Sequence, residues 1–594
     1  MDCKLSAYMN IKSATNPKVI PKKKAITFTS NISGTPQIWV LNQANKPVQY
    51  TFFDDTVRNI YHSPNDDMSI VSKDLNGNEK EQFYLLTNDG QHVEPLVVSL
   101  EHFHNFGGWS PDGKYFTYSS NRRGDGIFDI FMMNIDTKET EVIYQYDDIC
   151  HPITWLKDGE HILINIPETG LDQNVYILNI QTKKLERLGD PQISARYRSW
   201  TFLKDKQKGY VITDAGENTM YIGKFSLDEP EKIDKVVHHK QWEIEEIKLS
   251  PNEKTLIYTV NEGGYYKLHI YDIETSQTKQ IDQLPKGVID SINFLNDQEI
   301  IFAINTPTIP GDLWKFSLAT NEVKRLTYIS HSGEIDHLLV EPKLCTFKSF
   351  DGLEIPYFYY EKNKDKNKPT LIYVHGGPAS QTCAQFNDYI QYLVDRGFAV
   401  VAPNVRGSSG YGREYLAADD VRQRMDSVKD LVSLVDVLIA NHHVDPKRIG
   451  IMGRSYGGFM TLAAITHYPD LWVAAVNIVG ISSFATFMQT TGKWRRKLRG
   501  SEYGTIENDL EFFNDIDPIH RTENINVPML VYHGLNDTRV PVQESVQLVM
   551  KMKEHGQDVK LTIFDDEGHS TEKIANHIKM NSEIVQFMDR LLNE

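Results

Sequence analysis

Cysteine is scarce: the 594-residue chain has four, Cys3, Cys150, Cys345 and Cys383, far apart and with no Cys-x-x-Cys spacing. That excludes a disulfide framework and a thiolate zinc site, and free, reduced thiols are expected. Long apolar runs are missing too. No stretch reaches the eighteen or so apolar residues of a membrane span, and residues 1–15 have no apolar run behind their charges, so a cytoplasmic protein with no membrane partner is expected. Positive charge is in deficit, 63 Lys and Arg against 80 Asp and Glu for a formal charge of −17, which argues against nucleic acid as a partner and reads as a device for solubility. With 40% hydrophobic and 24% charged residues, nothing in the chain reads as disordered.

The length implies three or four domain-sized units unless one of them is a large repeat. Residues 1–24 are polar, carry Lys22-Lys23-Lys24, and read as a solvated lead-in. A repeat follows over residues 25–330. Seven short segments of apolar-aromatic-apolar type centre on Trp39, Tyr84, Phe131, Tyr176, Tyr221, His269 and Trp314, successive centres being 45, 47, 45, 45, 48 and 45 residues apart. A second marker keeps the same step and is fullest at Trp109-Ser110-Pro111-Asp112-Gly113. Short alternating strands at this period predict a seven-bladed β-propeller, whose blades cannot bury their faces alone, with the central aromatics packing between blades.

From Cys345 the pattern changes. Eight strand-like runs, beginning with 346–350 and ending with 560–564, alternate with helical periods over residues 345–594. They predict an α/β-hydrolase domain built on a doubly wound, mostly parallel eight-stranded sheet. After the fifth run comes Gly453-Arg454-Ser455-Tyr456-Gly457, a strand turning sharply into a helix, with glycines letting the two approach and the Ser455 hydroxyl raised at the sheet's end.

A serine hydroxyl needs a base to take its proton and an acid to orient that base. Asp537 and His569 follow the seventh and eighth strands, in the order Ser, Asp, His and at the edge of the sheet that carries Ser455. Taken singly, Asp537 also reads as a turn-former and His569 as a helix cap. Asp565, Asp566 and Glu567 lie so near His569 that they read as shaping its loop. An oxyanion hole needs two N–H donors: Tyr456 supplies one, and His375-Gly376-Gly377-Pro378 the other, with Gly377 the first choice and Gly376 the reserve.

With these motifs and Asn404-Val405-Arg406-Gly407-Ser408-Ser409-Gly410-Tyr411-Gly412, the chain resembles the prolyl oligopeptidase family, in particular its acylaminoacyl-peptidase-like branch. The resemblance implies a serine peptidase acting on short peptides, with a propeller that keeps folded proteins out. Separately, no cofactor or metal is expected. Phe484, Phe487 and Trp494 lie where such enzymes build the pocket for the residue before the scissile bond, so an apolar pocket is expected; the other reading is a helix packed on the sheet. Lys493-Trp494-Arg495-Arg496-Lys497-Leu498-Arg499 reads either as a solvated face or, through Arg495 and Arg496, as a grip on a peptide carbonyl or carboxylate. Glu245-Glu246 is a weak candidate for binding a free amine, and His102 with His104 lacks the third ligand of a metal site. A carboxylesterase would use the same machinery, and a binding scaffold with a silent hydrolase domain is the third reading. The oligomeric state is not legible.

Overall fold

The structure, a computed structural model, describes residues 3–65, 68–87, 90, 92–205, 207–363 and 367–593. Seven four-stranded antiparallel sheets follow one another over residues 14–49, 57–97, 104–144, 151–188, 197–237, 243–281 and 288–325. They are the expected seven blades. Each repeat's central aromatic lies on the third strand of its blade, and the Ser-Pro marker turns the first strand into the second. In the third blade the Ser110 hydroxyl donates to Asp112 Oδ1 at 2.7 Å and the Ser110 N–H to Tyr115 O at 2.8 Å. Trp109, just before that turn, donates its indole N–H to Tyr61 O of the preceding blade at 3.0 Å.

Every blade uses consecutive strands, so side chains close the ring. Ala14, Phe28 and Trp39 of the first blade share a core with Ile301, Ala303 and Leu313 of the seventh, and Asn293 Nδ2 donates to Pro17 O at 2.8 Å. This corrects the expected lead-in. Residues 14–19 are the first strand of the first blade, and the helix Cys3–Met9 before it buries Leu5, Tyr8 and Met9 against the second domain, with Tyr8 edge-on to Tyr392. A short apolar face spread among polar residues gave no run for a sequence reading to detect.

The second domain holds eight strands, β1 (Lys343–Lys348), β2 (Glu354–Tyr360), β3 (Thr370–Val374), β4 (Ala399–Pro403), β5 (Ile449–Arg454), β6 (Ala474–Ile478), β7 (Met529–Gly534) and β8 (Val559–Phe564), in the spatial order β1-β2-β4-β3-β5-β6-β7-β8. Antiparallel pairs join β1 to β2 and β2 to β4, and all other pairs are parallel. β1 ends two residues before the expected Phe350 because Gly352, at φ 90°, closes a turn onto Ser349 O.

The helices that position the site are α1 (Asp388–Asp395), α2 (Arg424–His442), α3 (Tyr456–His467), α4 (Phe484–Thr490), α5 (Lys493–Tyr503) and α6 (Ile574–Asn593). One core packs α2 and α3 on one sheet face, and a second packs α1 and α6 on the other. Burial on both faces is what a parallel sheet needs, and it explains the nearly continuous apolar runs of its strands. Among the described residues no helix is long and apolar enough to cross a membrane. Cys150, Cys345 and Cys383 are free thiols; the Cys3 side chain lies outside the described residues.

The propeller docks on the sheet edge that carries the C-terminal ends of the parallel strands. Arg413 donates to Asp172 at 2.7 Å and to both oxygens of Asp214 at 3.0 Å, bridging the fourth and fifth blades to the second domain. The Asp214 side chain is fully buried and also accepts from Arg196 at 2.7 Å. Arg413→Ala removes one of the two guanidinium partners of a buried carboxylate. It should destabilise the docked protein by about 1.5–3 kcal/mol, the worth of a hydrogen bond to a charged group. Calorimetry would show a lower melting temperature, and an unchanged one would mean that this bridge contributes nothing.

Candidate active site

At the end of β5 the chain reverses through Ser455, whose φ of 57° and ψ of −121° are unfavourable for a residue with a side chain. Neighbouring backbone holds it there. The Ser455 N–H donates to Ile478 O at 2.8 Å and its carbonyl accepts from Phe459 N–H at 3.1 Å. A Cβ on Gly453 would stand 2.0 Å from Gly457 O, and one on Gly457 2.2 Å from Val374 O. Both glycines are therefore required by contact between β3, β5 and α3.

Tyr456 opens α3, so its N–H has no acceptor within the helix. Its ring is buried and its hydroxyl donates to Asp419 Oδ2 at 2.8 Å, which fixes the residue from the far side. Across from it, a Cβ on Gly376 would lie 3.2 Å from Ser455 Cβ. The Gly376 carbonyl accepts from His375 Nδ1 at 2.7 Å. Burial lowers the pKa of His375, and its Nε2 lies 2.9 Å from the Ser408 hydroxyl, which donates to Val405 O at 2.6 Å. Because C=O and N–H point opposite ways in a trans peptide, the bond to Gly376 O directs the Gly377 N–H away from His375.

Asp537 and His569 meet. His569 Nδ1 donates to Asp537 Oδ2 at 2.7 Å, while Asp537 Oδ1 accepts the N–H groups of Arg539 and Val540 at 2.8 and 3.0 Å. Burial opposes ionisation of Asp537, but the imidazoles of His569 and His533 outweigh it and hold its carboxyl well below the usual carboxylate range. Burial also lowers the pKa of His569, an effect that Asp537 only partly reverses. The loop bearing His569 is tied to the elbow itself: Arg454, next to Ser455, donates to His569 O and, at 2.8 Å, to Ser570 Oγ. Glu567 accepts the N–H groups of Glu572 and Lys573 at 3.0 and 2.9 Å, Asp566 pairs with Lys573, and the Asp565 carbonyl accepts from Asn536.

A small cavity of about 70 Å³ adjoins this group and is lined by Ser455 and Gly377 together with Ile481, Phe487, Tyr503, Val540, Arg495, Arg499 and Arg539. Of the five residues expected to bind substrate, Phe487 and Arg495 reach it. Phe484 instead packs in the core, its ring 4.5 Å from Phe459 and 4.9 Å from Tyr503. Trp494 lies against the propeller, edge-on to Phe103 and Phe128, and Arg496 donates to Gln489 O at 2.7 Å. The expected apolar pocket thus has three arginines among its nine lining residues. The solvated-face reading of α5 also gives way, because the helix lies between the domains: Lys497 pairs with Asp148, and Arg495 with Glu79 at 2.7 Å.

The sequence reading missed four contributors: Arg454, His375, Arg499 and Glu79. Arg454 stands at the variable position of Gly-x-Ser-x-Gly and Arg499 one helical turn beyond Arg495, a spacing that could have signalled a shared face. Glu79, in a turn of the second blade, accepts from Thr538 at 3.0 Å and from Arg539 at 2.6 Å, and carried no local signal. Glu245 pairs with Arg198, and Glu246 accepts from Ile292 N–H within the propeller. His102 bonds Ser99 and His104 bonds Glu81 O; among the described residues no group of three or more His, Cys, Asp or Glu is arranged to hold a metal.

Comparison with known proteins agrees with this anatomy. The model of the prolyl oligopeptidase N-terminal β-propeller domain matches residues 31–329, and that of the prolyl oligopeptidase family matches residues 384–594. Dipeptidyl aminopeptidase BIII of Pseudoxanthomonas mexicana is 30% identical over 348 residues, 54% of this chain and 50% of that protein. The acylamino-acid-releasing enzyme of Arabidopsis thaliana is 31% identical over 234 residues, 37% of this chain and 30% of that one. The chain thus spans half the length, or less, of these curated relatives. A puromycin-hydrolyzing peptidase of Mycobacterium tuberculosis shares the fold, with a TM-score of 0.86 at 17% identity over 99% of this chain and 95% of its own. Since the two family models take in the propeller and most of the sheet domain, the chain belongs to the prolyl oligopeptidase family of serine peptidases.

Proposed function

We propose that the protein hydrolyses short peptides, as an oligopeptidase or acylaminoacyl-peptidase, through an acyl-enzyme on Ser455. The observation that carries this reading is the buried 2.7 Å bond between His569 and Asp537 on a loop held against the elbow by Arg454. With Nδ1 committed to Asp537, His569 presents Nε2 as the base. It takes the Ser455 proton as Oγ attacks the peptide carbonyl, then gives that proton to the departing amine. A water molecule repeats the sequence on the acyl-enzyme, His569 acting again as base and then returning the proton to Ser455. Tyr456 N–H and Gly377 N–H, with Gly376 in reserve, would hold the oxyanion, each such donor being worth about 2.7–4 kcal/mol of transition-state stabilisation. The second blade reaches the residues beside Asp537 through Glu79, which favours substrates that pass between the two domains. That supports peptides over simple esters.

A fluorophosphonate probe should label the wild-type protein and leave Ser455→Ala unlabelled, with peptide turnover falling by about 10⁴–10⁶. Equal labelling of both proteins would sink the assignment. Amide cleavage of N-blocked and free peptides of graded length tests the substrate class, and ester turnover without any amide cleavage would make the protein an esterase.

The pH dependence has a definite sign. His569 must be neutral to accept a proton, and burial moves its pKa below the ordinary 6.5. Activity is therefore lost as the pH falls through the folded-state pKa. The acid limb of kcat/KM should have its midpoint below 6.5 and be flat above it. A midpoint above 6.5 would show that the attraction of Asp537 outweighs burial.

A further inference from the structure

We propose that the cavity beside Ser455 is an anion pocket, built to take the carboxylate side chain of a glutamate or aspartate on the acyl side of the scissile bond. The inference rests on the hydrolytic role proposed for Ser455. Ser455 and Gly377 both line the cavity, so a side chain that fills it belongs to the residue whose carbonyl is attacked. At about 10–15 Å³ for each water-sized group held, its 70 Å³ accommodates about five to seven such groups. A glutamate side chain has five heavy atoms.

Charge decides the chemistry. Three arginines, Arg495, Arg499 and Arg539, line the cavity, and no Asp or Glu does so among the described residues. Behind them stand two counter-charges. Glu79 is shared between Arg495 and Arg539, and Glu502 accepts from Arg499 at 2.6 Å. Asp537, the next carboxylate, is bonded to His569 and its charge also favours the charged form of Arg495. The lining itself carries only positive charge, in a site walled by Ile481, Phe487 and Val540, where charges interact more strongly than in water. Among the described residues, Arg495 Nε is buried without a hydrogen-bond partner. Burial lowers the pKa of that guanidinium to about 10, with Arg539 and Arg499 adding to the effect against Glu79 and Asp537. An incoming carboxylate would relieve both the repulsion and the unmet donor.

The cations are also held ready. Arg495 lies over the Trp494 ring at 4.3 Å and Arg499 over that of Tyr503 at 5.7 Å, while the Tyr503 hydroxyl donates to Gly377 O at 3.0 Å. Little side-chain freedom remains to be lost when an anion binds. A neutral peptide carbonyl would employ one of these donors and leave the repulsion among the three arginines in place.

The test compares kcat/KM of the full-length protein for N-acetylated dipeptide p-nitroanilides that differ only in ending with Glu, Gln, Leu or Lys. A parallel set of longer peptides carries free or amidated C-termini. The Glu substrate should exceed its Gln isostere by at least about tenfold, because a site built around a charged group discriminates against the analogue that lacks it. In Arg495→Met and in Arg499→Met that ratio should collapse toward one, with fluorophosphonate labelling of each variant reporting a folded elbow. Equal rates for Glu and Gln in a protein that labels at Ser455 would overturn the pocket and leave the hydrolase standing. So would a ratio that persists in both variants, or a preference that follows the free C-terminus instead of the side chain. A wild-type protein that neither labels nor turns over any substrate removes the hydrolytic reading itself, and the pocket falls with it.

Discussion

The carbonyl oxygens of Gly457 and Val374 occupy the space where Cβ atoms on Gly453 and Gly457 would stand, and the arrangement around Ser455 depends on that approach of three backbones. It forces the positive φ at Ser455, sets the start of α3, and so decides where the Tyr456 N–H points. It also brings the Gly376-Gly377 turn after β3 within touching distance of the serine. Strain of this kind costs about 1–3 kcal/mol and persists only where the surroundings over-determine it. Here they do, through Ile478 O on one side and the buried body of α3 on the other.

Behind the elbow a second set of contacts fixes direction. Asp419, fully buried, accepts from Tyr456 and pairs with Arg424, whose guanidinium lies 4.9 Å from the ring centroids of both Tyr456 and Tyr503. Burial nevertheless pushes the Asp419 carboxyl up to about 7. Buried ion pairs of this sort return little net stability after desolvation. What this one supplies is geometry: the ring of Tyr456, which follows Ser455, cannot turn, and Tyr503, which closes onto Gly377 O, is held by the same guanidinium.

The propeller takes part in the site and does more than cover it. Gly77 of the second blade approaches the His569 loop so closely that a Cβ on Gly568 would lie 1.9 Å from its carbonyl oxygen. Two residues on, Glu79 carries the charge that offsets Arg495 and Arg539. The two domains thus share one electrostatic balance at the interface. Separating them would leave two arginines unpaired beside Asp537 and expose to water a site whose interactions gain strength from its exclusion.

Much of this was legible in one dimension. The step of about 45 residues revealed seven blades because each blade is a local unit of consecutive strands, and eight apolar runs revealed the sheet because a parallel strand buried on both faces leaves such a run. The order of Ser455, Asp537 and His569 could be read because each sits just beyond a strand, at one edge of one sheet. Three features could not. The helix Cys3–Met9 and the strand 14–19 read as polar lead-in, since their apolar residues gain meaning only from Tyr392 and the seventh blade. Trp494 and Arg495 read as one basic run, although docking sends the first against Phe128 and the second to Glu79. And Glu79 itself, in a polar turn more than 400 positions from Asp537, gave no sign of its part. The sequence alone determined the elements and their order, because hydrophobic period and turn chemistry act over a few residues. Only the tertiary structure decided which faces and charges meet between the domains, because contacts at that separation leave no periodic trace in either segment.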